Sequence, residues 1–220
     1  MNANKRSRRP ARKVRLKICG ITSWADAKRA VAAGADMLGF NFYSGSPRFI
    51  SVSAAKRIVS RLPRGVQAIG IFVNDDPEDM EDIATIVGLH GIQLHGDESP
   101  EQVERLARRW AVIKAFRVRR GFRPATLGRY AKAYAFLLDG FSRTAWGGTG
   151  KTFDWSVARR ARRYGRIFLA GGITPENITQ AIAEAKPYAV DVCSGVGRPA
   201  KLRSSASSCA ANAASARAVA

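Results

Sequence analysis

The stretch Val14-Arg15-Leu16-Lys17-Ile18-Cys19-Gly20-Ile21-Thr22 decides how the rest of the chain is read. Its first six residues form a short apolar run suited to a buried strand, and Gly20 turns the chain directly after Cys19. Ser23 then caps an alanine-rich helical segment, 24–33, which Gly34 stops. A strand followed by a helix is one β/α unit, and the same unit recurs along the chain. Runs 36–41, 66–73, 91–94, 111–116, 134–139, 166–170 and 188–192 read as further strands. Segments 53–62, 77–87, 99–110, 155–164 and 175–184 read as the helices between them, with a looser helical stretch at 122–131.

The helix ends carry local signals. Asp75, Asp76, Glu78 and Asp79 place negative charge where the dipole of helix 77–87 favours it. Ser99 and Gln102 form a capping box. Thr174 precedes Pro175 in the order expected of a cap followed by the first helical residue. Eight such units in about 200 residues match the small end of the (β/α)8 TIM barrel. A doubly wound open sheet competes, but eight units with polar residues gathered after the strands favour a single-domain α/β barrel. Its expected extent is 14–202, preceded by a flexible basic arm, 1–13, and followed by an Ala/Ser-rich tail, 203–220, in place of a typical final helix.

Composition narrows the class. Apolar residues make up 46% of the 220, enough for a large core. No run approaches a membrane span and no secretory leader is legible, so a cytoplasmic protein without a membrane partner is expected. The cysteines, Cys19, Cys193 and Cys209, are odd in number and far apart, which argues against a disulfide framework or a zinc site. With two histidines, His90 and His95, no metal site is expected either. The net charge is +20, and residues 1–17 hold eight cations and no acid, so removing those eight leaves +12 on the remainder. That excess reads either as a solvated basic surface or as a preference for anionic ligands.

In a barrel, all C-terminal strand ends open on one mouth, where the active site lies. Cys19-Gly20, 41–48, Asn74, Gln93 to Asp97, Arg117, Asp139-Gly140, the glycine-rich loop 146–150, Gly171-Gly172 and Cys193-Ser194-Gly195 therefore converge. Glycines after the seventh and eighth strands suit either tight turns or the phosphate cradle usual in such barrels. Asp139 closes an apolar strand and reads as a catalytic acid or as the first residue of an Asx turn with Gly140. Cys19 alone reads as a small core hydrophobe; beside a convergent acid and a phosphate cradle it reads as a base. The run Ala145-Trp146-Gly147-Gly148-Thr149-Gly150-Lys151-Thr152 fails as a P-loop because Ala145 stands where the first glycine belongs.

Several motifs together resemble the phosphoribosylanthranilate isomerase family. They are Lys-Ile-Cys-Gly-Ile-Thr (17–22), Gly-Phe-Asn-Phe with Ser-Pro-Arg-Phe-Ile (39–50), Gly-Ile-Phe-Val-Asn (70–74) and Gln-Leu-His-Gly-Asp-Glu (93–98). Leu-Leu-Asp-Gly (137–140), Gly-Gly-Thr-Gly-Lys-Thr-Phe-Asp-Trp (147–155), Leu-Ala-Gly-Gly-Ile (169–173) and Val-Asp-Val-Cys-Ser-Gly-Val (190–196) follow in order. The resemblance implies a (β/α)8 barrel performing an Amadori rearrangement in tryptophan biosynthesis, with no cofactor and no metal. It implies Cys19 as general base, Asp139 as general acid, and Arg48 as the clamp on the anthranilate carboxylate. Gln93, His95, Gly148, Gly171, Gly172, Ser194 and Gly195 complete the implied substrate site, with the glycine turns holding the phosphate.

These roles have a physical basis. The acid must carry a proton near neutral pH, which an apolar strand end favours. A free thiol is only a few per cent thiolate at pH 7, and Lys17, two residues before Cys19 on the same strand face, is expected to favour the thiolate. The expected partner is a phosphorylated small molecule, bound by a monomer or homodimer; nucleic acid is not an expected partner. Two features depart from the family: Cys193 stands where serine is common, and large apolar residues almost cease after Leu202. A basic barrel serving as a nucleic-acid-associated or otherwise non-catalytic binding protein, and a histidine-pathway phosphosugar isomerase, are the competing readings. The latter family uses an aspartate where this chain has Cys19.

Overall fold

The computed structural model describes residues 14–140 and 153–193. The expected arm at 1–13, the tail at 203–220 and any helix after the eighth strand lie outside the described residues, as do Gly148, Ser194 and Gly195. Within them, eight parallel strands close into a barrel in sequence order. The strands are β1 (Arg15–Cys19), β2 (Met37–Asn41), β3 (Gln67–Phe72), β4 (Gly91–Leu94), β5 (Ala111–Val118), β6 (Ala135–Gly140), β7 (Arg166–Leu169) and β8 (Ala189–Val192). The barrel closes where β1 pairs with both β2 and β8. Lys17 is opposite Met37 on one side and Asp191 on the other, and Ile18 is opposite Leu38 and Val192.

Strand alternation assigns the two faces. Leu16 and Ile18 join the large cluster between strands and helices, with Leu38, Ile92, Leu138, Leu169 and Val190. The intervening residues point into the barrel. There Met37, Ile69, Ile113, Ala115, Leu137, Phe168 and Ala189 form a second packed cluster. The lower end is capped by Tyr134 and Tyr188, whose hydroxyls are 3.0 Å apart, with the Arg166 guanidinium 4.4 Å from the Tyr134 ring centre. The interior is thus packed mainly with apolar side chains below, with Arg15 and Gln67 bonded to each other at that end (3.3 Å), and the buried Lys17, Gln93, Asp139 and Asp191 lie above them.

The outer helices are α1 (Trp24–Ala32), α2 (Val52–Val59), α3 (Pro77–Val87), α4 (Pro100–Ala107), α5 (Trp155–Ala161) and α6 (Ile178–Ala185). Ser23 caps α1, Asp76 caps α3, and the Ser99–Gln102 capping box is formed at α4. Two expectations change. The looser segment after β5 is a 3-10 helix, Pro124–Tyr130, whose Leu127 is buried. The helix expected from Pro175 begins only at Ile178. Its predicted first turn is occupied by a side-chain clasp: Asn177 donates to the Gly172 carbonyl (2.7 Å) and accepts from the Thr174 N–H (2.9 Å). No described helix is long and apolar enough to cross a membrane.

Candidate active site

The upper layer is built first by β1 and β8. The Lys17 ammonium lies 2.9 Å from Asp191 Oδ1, and Lys17 is fully buried. An isolated buried charge would be costly, so the pair exists because both partners are present. Burial opposes the lysine's charge, but Asp191 and the Cys19 thiol more than offset it and hold the ammonium above its ordinary value. Two residues further on, Cys19 and Cys193 follow Ile18 and Val192, which are paired across the seam, so the two thiols stand side by side at the mouth and shift each other's ionisation. Both are half-buried and free.

The two thiols act as a coupled unit. The contact with Cys193, together with burial, pushes the Cys19 thiol up, and outweighs the lowering by Lys17. The same contact, helped by Arg48, brings Cys193 down although burial opposes it. The expectation that Lys17 tips Cys19 to the thiolate is therefore corrected. Lys17 does act in that direction, but it is engaged by Asp191, and Cys193 holds the stronger claim on the negative charge. Sequence reasoning marked Cys193 only as a departure from serine. Its contact with Cys19 follows from strand register, which no local pattern reveals.

Gly39 and Gly20 explain how this corner is packed. A Cβ at Gly39, opposite Cys19 on β2, would stand 3.0 Å from the Cys19 sulfur. A Cβ at Gly20 would overlap the Arg48 side chain, and Gly20 also has a left-handed φ of +86°. Arg48 thus lies across the glycine that ends β1. Its loop is organised by Asn41, the last residue of β2. Asn41 donates to the Ser46 hydroxyl (3.0 Å), its side-chain oxygen accepts from the Tyr43 N–H (3.0 Å), and the Ser46 hydroxyl accepts from the Arg48 N–H (3.2 Å).

The other side of the mouth carries Asp139, Gln93 and His95. Asp139, the inward residue near the end of β6, is only 3% exposed. His95 Nε2 stands 3.6 Å from its Oδ2, too far for a good hydrogen bond. Gln93 Nε2 is 3.0 Å from His95 Nδ1. With the amide donating, Nδ1 is the acceptor and the ring proton sits on Nε2, aimed toward Asp139. Among the described residues, His95 Nε2 and Gln93 Oε1 are buried without a hydrogen-bond partner. A donor and an acceptor are therefore left over beside the carboxylate, as a site that receives a polar ligand requires. Behind them Glu98 accepts from the N–H groups of Asn74 (3.0 Å) and Gly96 (2.9 Å) and pairs with Lys114 (2.9 Å), tying the loops after β3 and β4 to β5. Burial lowers Lys114 despite the help from Glu98. The sequence shows Glu98 only as part of a motif, and nothing local marks Lys114.

Gly171 and Gly172 follow β7 with φ of +77° and +67°, so both occupy the left-handed region. A Cβ at Gly171 would strike the Gly140 backbone and Asp139 Oδ1. This glycine therefore makes room for the acid, in addition to any part in a phosphate cradle. The structure brings Cys19, Arg48, Gln93, His95, Asp139, Gly171 and Gly172 to strand ends of one mouth; the remaining three expected residues lie outside the described part.

Fold and site together define a (β/α)8-barrel enzyme with buried titratable groups at the C-terminal mouth. A model of the N-(5'-phosphoribosyl)anthranilate (PRA) isomerase family matches residues 16–199. The N-(5'-phosphoribosyl)anthranilate isomerase of Citrifermentans bemidjiense is 50% identical over 182 residues, covering 83% of this chain and 87% of its own. The crystal structure of phosphoribosyl anthranilate isomerase from Thermotoga maritima superposes with a TM-score of 0.85 at 42% identity, over 92% of this chain and 99% of that one. A phosphoribosyl anthranilate isomerase in complex with reduced 1-(o-carboxyphenylamino)-1-deoxyribulose 5-phosphate gives 0.82 at 40%, with the same coverage. The chain belongs to the N-(5'-phosphoribosyl)anthranilate isomerase family.

Proposed function

We propose that this barrel converts N-(5'-phosphoribosyl)anthranilate to 1-(2-carboxyphenylamino)-1-deoxyribulose 5-phosphate, an Amadori rearrangement of tryptophan biosynthesis. The observation that carries the reading is the pairing, in one mouth, of a buried carboxyl group beside an unpartnered donor with a thiol pair facing inward from β1 and β8. Asp139 gives a proton to the ring oxygen, the C1–O bond breaks, and the nitrogen lone pair forms C1=N. A thiolate then removes the proton from C2, giving an enolamine that becomes the ketone. Oxidation at C2 balances reduction at C1 within one molecule, so the step consumes no external electrons.

Cys19 is the base in this reading. Of the two thiols Cys193 is held down and Cys19 up, so Cys19 acts as base after passing its proton to its neighbour. Arg48, folded over Gly20, offers a planar fork to the anthranilate carboxylate. Gln93 and His95 supply the unpaired acceptor and donor to the sugar, and Gly171, Gly172, Gly148, Ser194 and Gly195 receive the phosphate. The purified protein should abolish the fluorescence of N-(5'-phosphoribosyl)anthranilate in a direct assay. A preparation that is folded by circular dichroism and leaves the signal unchanged would refute the activity.

A further inference from the structure

We propose that Cys19 and Cys193 form an oxidisable dithiol at the mouth, which a hydroperoxide converts to an intramolecular disulfide. Its catalytic consequence rests on the reading of Cys19 as the base; its chemistry does not. β1 and β8 are paired in parallel register through Ile18 and Val192, so the next residues along, Cys19 and Cys193, are neighbours across the seam. Adjacent strands lie roughly 4.8 Å apart, within the roughly 4.4–6.8 Å between Cα atoms that a disulfide spans. Both residues have the parity of Lys17 and Asp191, whose side chains meet at 2.9 Å one layer below. The register thus sets the two thiols side by side, and both are free and half-buried. Gly39 keeps the opposing wall clear of the Cys19 sulfur.

The surroundings select the order of events. Among the described residues, Arg48 and Lys17 are the cations facing the pair and Asp191 is its carboxylate, and the thiolate is favoured at Cys193. The Cys193 thiolate attacks one peroxide oxygen. An S–O bond forms, the O–O bond breaks, and the departing oxygen leaves as water or an alcohol after protonation. Cys19 then attacks the sulfenic sulfur. The S–S bond forms, the S–O bond breaks, and hydroxide leaves as water with the proton from Cys19. Two thiols lose two electrons and the peroxide gains two. The product holds Cys19 in a bond in which it accepts no proton.

The test uses the full chain carrying Cys209→Ser, which removes the third cysteine. It is treated with a few equivalents of hydrogen peroxide, then divided between non-reducing peptide mass spectrometry and the fluorescence assay, with and without dithiothreitol. The expected result is a Cys19–Cys193 cross-linked peptide, a loss of turnover of about 10²-fold or more, and recovery on reduction. Adding Cys193→Ser should abolish the cross-link and leave at Cys19 a sulfenic acid, read as a dimedone adduct, in place of the disulfide. Absence of the cross-link in the Cys209→Ser chain, or dimedone trapping at Cys19 that is the same with and without Cys193, would overturn the dithiol. A cross-linked chain with full turnover would leave the dithiol standing and overturn Cys19 as the base.

Discussion

As the proposed base, Cys19 depends on neighbours that come from three other strands. Cys193 beyond the β8 end shifts its ionisation, Gly39 on β2 leaves the space for its sulfur, and Asp139 near the end of β6 is the acid that the proposed reaction sets against it. Replacing it with alanine should lower turnover by about 10²–10⁴ with little change in the Michaelis constant; steady-state kinetics at pH 7 decide this. Arg48→Ala should show the converse, a raised Michaelis constant with a smaller change in turnover, because the guanidinium binds a part of the substrate that does not react. Lys17 is a matter of stability. Lys17→Met leaves Asp191 buried without its partner and should cost about 3–5 kcal/mol in urea denaturation, while Lys17→Met with Asp191→Leu should recover much of that loss. The lysine's contribution also has a pH window. Its folded-state value is raised, so the stabilisation is complete below the ordinary lysine value of 10.5 and falls away only as pH rises through the higher folded value.

Element boundaries follow the strength of local punctuation. The third helix is read to the residue, Pro77–Val87, because Asp76, Pro77 and Gly88 mark both ends with independent chemistry. The capping box at Ser99 is likewise legible from two residues. Helix α6 is displaced because the same kind of signal, Thr174 and Pro175, is overridden by Asn177, which binds back to Gly172 and Thr174. That clasp belongs to the turn after β7, and it holds two consecutive glycines in the left-handed region. Gly171→Ala should therefore cost about 1–2 kcal/mol from the backbone alone. It should also lower turnover, since the added methyl meets Asp139. Retained turnover in thermally destabilised protein would show that the acid tolerates the displacement. Of the site residues, those at strand ends were legible by position. Cys193 as a partner of Cys19, Gly39 as its spacer and Lys114 beneath Glu98 were not, because each acts across a strand pairing.

At the scale of the whole molecule, charge and closure act together. A protein of net charge +20 attracts an anionic substrate from a distance, and salt screens that attraction. The ratio kcat/KM for a phosphorylated, carboxylated substrate should fall as sodium chloride is raised from about 0.02 to 0.5 M, with turnover at saturation changing far less. An unchanged ratio would show that the charge is too dispersed to steer. The sequence alone determined the eight strands and the helical segments between them, since apolar runs of strand length alternating with capped helices admit few architectures. It also determined that the polar strand ends share one mouth, since parallel strands all point the same way. Tertiary structure decided which of those ends touch. The bond between Lys17 and Asp191 joins residues 174 positions apart, and the thiol contact one layer above it spans the same seam. Both exist only because β8 closes on β1 in one register, and a shift of a single residue would turn both pairs out of the barrel.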